Sequence, residues 1–277
     1  MVVATTLSSF TFAGNFMPSK TLPNEKLEEC RDLYLQGKKE YQKNNYIDSV
    51  RLYLKAVYLQ EMLLGKYHQD TIKTYWRLGR AAAMAQQDQQ AIEAFYRACR
   101  FAETTFDESV VLSLINDVDA VWSARESPDQ EGRDPTTAAI KSPRESLEKL
   151  LELEKAADVA CKRGGYEDAI KSFQEALSLL NDLAGSDTVC GSDLQVKMST
   201  CYLKHGQTSE ASRALSAAHE CYMRRLGEDH PATLGAAANL RSLNKKNFQQ
   251  NGWTASLSSL GSKEDSRDVP TTPTSSP

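Results

Sequence analysis

No uninterrupted apolar run of about 18 residues occurs anywhere in the 277 residues, and mean hydropathy is −0.51, so the sequence offers no membrane-spanning helix. Positive charge is not in excess either. Lys+Arg 33 against Asp+Glu 37 gives a formal net charge of −4, so no basic excess points to nucleic acid as the main partner, and only a local patch could argue otherwise. Histidine is scarce. The four present, His68, His205, His219 and His230, stand at no ligand spacing with one another or with a Cys or acidic cluster, which argues against a metal centre. The six cysteines (Cys30, Cys99, Cys161, Cys190, Cys201 and Cys221) include no C-x-x-C pair and read as reduced, structural thiols of a cytosol-like compartment. Neither G-x-x-x-x-G-K-S/T, G-x-G-x-x-G nor G-x-S-x-G is present, so phosphate cradles and a nucleophile elbow have no residues to build them. The expectation is a non-enzymatic, cytoplasmic protein that needs no cofactor.

What the chain does have is a repeat. The segments NNYIDSVRLYLKAV, DQQAIEAFYRACR, GGYEDAIKSFQEAL and GQTSEASRALSAAH align on the small residues Ser49, Ala91, Ala169 and Ala211. In each, a large residue follows four positions later (Tyr53, Phe95, Phe173, Leu215) and an alanine three beyond that (Ala56, Ala98, Ala176, Ala218), which is one face of a helix. Anchors 49 and 91 are 42 residues apart, as are 169 and 211. Upstream of each lies a second amphipathic stretch, so every unit reads as helix A, a short turn and helix B. The turns fall at Asn44-Asn45, Gln87-Asp88, Gly164-Gly165 and Gly206-Gln207, residue types suited to closing a helix.

This pattern resembles the tetratricopeptide repeat over residues 27–247. Gly37 and Gly79 stand at that family's small helix-A position, and Tyr46 and Tyr166 at its aromatic turn position. The resemblance implies an all-α fold of helical hairpins stacked into a right-handed superhelix. The 42-residue period and the shared Leu-Gly-x-x-His loop, with Thr71 and Thr233 three residues after the histidine, are similar to the extended repeats of kinesin light chains. Gly65, Gly185 and Gly227 share one repeat position, closing helix B. The long N-terminal heptad region by which kinesin light chains bind their heavy chain is not in this sequence, so a kinesin subunit does not follow.

Between the second and third units the register breaks, with anchors Ala91 and Ala169 only 78 apart. FDESVVLSLINDVDAVWSAR fits another helix A, and the proline-bearing stretch after it reads as an irregular linker. A new helix is expected at Ser142-Pro143. The expected organisation is an N-terminal arm over 1–26, a first repeat block over 27–126, a linker over 127–141, a second block with a C-terminal capping helix over 142–247, and a Ser/Thr/Pro-rich tail over 248–277. Arm and tail read as disordered. The Ser/Thr content of the arm leaves a plastid-type leader as the alternative there. Ser142, before a proline and at a helix start, is a candidate phosphosite.

In the family the groove is walled by helix A. Carried over, the inward positions are Arg31, Tyr34, Lys38 and Tyr41 in the first unit, and Lys73, Trp76, Arg80 and Ala83 in the second, with Arg77 beside them. Cations and aromatics of this kind anchor peptides, so the resemblance implies a protein or peptide partner rich in acidic and aromatic residues. The later units present Leu151, Glu154, Asp158 and Cys161, then Asp193, Val196, Thr200 and Leu203, which are neutral to acidic. The carboxylate clamp of tetratricopeptide co-chaperones is not matched, because Tyr34, Lys38 and Arg77 stand at its positions. Two readings follow: an adaptor scaffold that binds a peptide in its groove, or a structural subunit of a larger complex whose groove is filled by its own segments or an obligate partner.

Overall fold

The computed structural model describes residues 24–125 and 143–245, which form ten helices and no strand among the described residues. The first block comprises α1 (Asn24–Gln42), α2 (Tyr46–Leu63), α3 (Gln69–Met84), α4 (Asp88–Thr105) and α5 (Glu108–Arg125). The second comprises α6 (Pro143–Lys162), α7 (Tyr166–Ala184), α8 (Val189–Lys204), α9 (Thr208–Leu226) and α10 (231–245). The 1–26 arm up to residue 23, the linker with Ser142, and the 248–277 tail lie outside the described residues.

Helices pair as hairpins, α1 with α2, α3 with α4, α6 with α7 and α8 with α9. The pairing is written in the small-to-large positions. A Cβ on Gly79 would lie 2.6 Å from the Phe95 ring, and one on Gly37 would lie 2.9 Å from the Tyr53 ring. Each ring therefore occupies the space a side chain would fill, which lets the two backbones come close. Ala157 and Ser199, both buried, hold the same place relative to Phe173 and Leu215.

The A-to-B turns share one geometry. Asn44, Gln86, Gly164 and Gly206 all take positive φ, and the amide after each donates back to a carbonyl in the last turn of helix A (Glu40, Ala82, Ala160, Tyr202). In the second unit the left-handed residue is thus Gln86, one before the expected Gln87-Asp88 pair.

The B-to-A loops are built alike too. At Gly65 and Gly227 the chain turns through φ of +88 and +86. The threonines Thr71 and Thr233 reach back to donate to the Gly65 and Gly227 carbonyls at 2.9 and 2.7 Å. His68 and His230 cap α3 and α10, each accepting through Nδ1 from the amide two residues on, at 3.2 Å. The third loop does the same job with other residues. Thr188 takes the histidine's place and its hydroxyl accepts from Gly191 N at 3.0 Å, while Gly191 stands where the others have threonine.

Between the blocks lies α4, whose residues Ala91 to Ala102 are buried on every side. It packs on α3 and α5 within its own block and on α6, α7 and α8 of the second. The repeat array is therefore folded onto itself, with α4 as the shared layer.

Candidate functional site

On the first block the helix-A face is formed by α1 and α3. Tyr34 and Arg77 meet across it: Arg77 Nε donates to the Tyr34 hydroxyl at 2.8 Å and its guanidinium lies 5.9 Å from the ring centroid. One turn further, Arg80 lies 5.9 Å from the Tyr41 ring. The result is a two-rung ladder of cation on aromatic, with all four side chains half-buried. Tyr34 is steadied from below by Tyr53, at 5.8 Å between ring centroids. Arg31 and Lys38 are exposed beside the ladder. Lys73 lies 3.5 Å from Asp70. The solvent-shielded Nε of Arg80 has no hydrogen-bond acceptor among the described residues.

Trp76 departs from expectation. It is 3% exposed, with its ring 4.6 Å from Phe95, and Phe95 in turn faces Trp122 of α5. Because α5 packs alongside α3, the Trp76 position is covered, and the residue belongs to the core instead of the wall.

The wall of the second block is taken up by the protein itself. Arg100 of α4, buried, bonds Glu154 of α6 at 2.7 Å and Asp193 of α8 at 2.6 Å. Tyr96 of α4 donates to the same Glu154, and Tyr222 of α9 to Asp193. Lys197 bridges Glu154 and Asp158. Toward the other end of α4, Arg97 bonds Glu61 of α2 at 2.7 Å, and His230 Nε2 lies 3.4 Å from Glu61. Glu93 accepts from the Val189 amide at 2.8 Å and pairs with Arg225 at 3.1 Å.

Of the acidic positions on the expected inward face, Glu154 and Asp193 thus face Arg100, and Asp158 faces Lys197. Burial alone would push the Asp193 carboxyl up, but Arg100, Lys66, Arg97 and the Tyr222 hydrogen bond bring it down to about 2. Glu154 and Glu61 are likewise held below the ordinary carboxylate range, burial being outweighed by Arg100 and Lys197 for the first and by Arg97 for the second. These are carboxylates neutralised in place. The sequence did carry a signal for this cluster, since Glu93, Arg97 and Arg100 interrupt the otherwise largely apolar run AIEAFYRACRFA, where a solvent-facing helix would show polar residues on one side.

Residues 37–104, from α1 through α4, match the tetratricopeptide repeat family model. That segment carries tetratricopeptide repeats. Among solved structures, the chain is similar to nearly identical tetratricopeptide-like repeats assigned to a Podosopora anserina kinesin light chain, at 16% identity and a TM-score of 0.34 over 87% of this chain and 95% of that one. No curated protein matches it. Tetratricopeptide repeats are protein-interaction scaffolds in general, and no described helix is long and apolar enough to cross a membrane.

Proposed function

We propose that the protein is a non-enzymatic, cytoplasmic adaptor that holds an extended acidic and aromatic peptide on the α1–α3 face of its first block. The observation that carries this reading is the Tyr34–Arg77 and Tyr41–Arg80 ladder. Two guanidiniums are pre-positioned against rings and half open to solvent, so a carboxylate can approach without the cost of ordering the arginines first. Arg31 and Lys38 extend the positive field along the same face. The bland alternative, solvated cations on a helix, would leave the arginines without such partners.

Binding is confined to the first block in this reading, because Glu154 and Asp193 of the second already have theirs. That same occupancy favours a second reading for the remainder of the molecule, a structural subunit whose second groove is closed by α4. The test is fluorescence anisotropy with a labelled peptide alternating Glu or Asp with Tyr or Trp. The R77E/R80E double variant is expected to bind roughly tenfold or more weakly at low salt, with the difference shrinking as salt rises. Equal affinity of variant and wild type at low salt sinks the peptide reading.

A further inference from the structure

Cys161 lies in the last turn of α6 and Cys201 in the last turn of α8, the consecutive A helices of the second block. Their sulfurs are 2.9 Å apart, Cys201 Sγ donating to Cys161 Sγ, although 40 residues separate them in the chain. The gap to a bonded pair, at about 2.05 Å, is under 1 Å. All six cysteines fall among the described residues, and Cys161 is the single one that is not fully buried. The other four make different contacts: Cys30 donates to the Ala56 carbonyl, Cys190 to that of Glu93 and Cys221 to that of Thr188, while Cys99 is 0% exposed.

We infer that Cys161 and Cys201 form a thiol–disulfide site, oxidised by a small disulfide such as oxidised glutathione to an intrachain cross-link between α6 and α8. The half-exposed Cys161 reacts first. Its thiolate attacks one sulfur of glutathione disulfide, forming a Cys161–glutathione mixed disulfide and releasing one glutathione. Cys201 then loses its proton, its sulfur attacks Cys161 Sγ, and the second glutathione leaves. The protein gives up two electrons, the small disulfide takes them, and the two thiol protons end on the two departing glutathiones. Burial raises the Cys201 thiol, so the second step, which needs its thiolate, quickens with pH.

The cross-link would join the ends of α6 and α8 beside their A-to-B turns, fixing the angle between the third and fourth units. This inference stands apart from the peptide reading, since it involves neither α1 nor α3. The experiment is incubation of the native full chain with oxidised glutathione at mildly alkaline pH, followed by alkylation, intact mass and peptide mapping. Wild type is expected to lose two hydrogens, to yield one linked pair joining Cys161 to Cys201, and to melt several degrees higher until reductant is added. Cys201→Ser should stop at one glutathione on Cys161, and Cys161→Ser should leave Cys201 unmodified, both variants keeping wild-type helicity. A wild type that keeps six free thiols under native conditions, stops at the glutathione adduct, or pairs any other two cysteines overturns the assignment.

Discussion

Gly79 shows how much one missing side chain decides. The Phe95 ring fills the place of its Cβ, at 2.6 Å, and Phe95 is also the contact surface for Trp76. An added methyl group must displace an aromatic side chain that is 0% exposed and held by α5 beyond it. Gly79→Ala is therefore expected to cost about 1–3 kcal/mol. At Gly37 the intruding contact is looser, 2.9 Å to a Tyr53 ring that neighbours the half-buried Tyr34, so Gly37→Ala should cost less. Urea denaturation of the two variants measures the difference, and a larger loss at Gly37 would contradict this account. These residues were readable from sequence because small and large positions recur with the period. Trp76 was not. Its position in the repeat points to the groove, and only the packing of α5 against α3, which no periodic pattern encodes, turns it into core.

At the scale of elements, the loops joining helix B to the next helix A carry the repeat's individuality. The Leu-Gly-x-x-His motif marked two of them in sequence, and the structure supplies its physical content: a glycine turn, a histidine cap and a threonine clip. Thr71→Val and Thr233→Val keep shape and remove only the hydroxyl that donates to a glycine carbonyl. Each is expected to cost about 1 kcal/mol and to speed amide exchange in the first turn of α3 or α10 specifically. Hydrogen exchange by mass spectrometry reads this directly, and a uniform change across all helices would contradict a local clip. The third loop was harder to read because Thr188 and Gly191 replace histidine and threonine together. The substitution is coupled: a Cβ at 191 would lie 3.0 Å from the capping hydroxyl of Thr188. The sequence analysis read Cys161 and Cys201 as separate structural thiols, and their closeness was not legible for a related reason. They are 40 residues apart, not 42, so they meet across adjacent A helices without sharing a repeat position.

For the whole molecule the defining feature is that the second block's acidic wall closes on α4. The ion cluster around Arg100 sets a pH dependence whose sign follows from its carboxyls. Asp193, Glu154 and Glu61 all sit lower folded than the ordinary unfolded values near about 4. Their contribution to stability is therefore complete above about pH 4 and is lost as pH falls toward about 2, where Asp193 takes up its proton. Asp193→Asn should be less stable than wild type at pH 6 and should lose less on acidification, and chemical denaturation between pH 6 and pH 3 tests both. Parallel curves for the two proteins would contradict the assignment. Arg100→Ala, which removes the partner shared by the buried Glu154 and Asp193 carboxylates, is expected to cost about 3–5 kcal/mol. Sequence reading expected two blocks and a neutral to acidic second wall. It missed what that wall faces, because the contact joins residues 93 positions apart and depends on the break in register after α5.

The place of α4 also bears on how the chain comes off the ribosome. Arg97 finds its partner Glu61 within the first block, but the partners of Arg100, Glu154 and Asp193, are translated later. At ordinary elongation rates the interval is on the order of ten seconds, long compared with the folding of a helical hairpin. During that interval a nascent chain carries Tyr96 and Arg100 without the carboxylates that cover them in the finished protein.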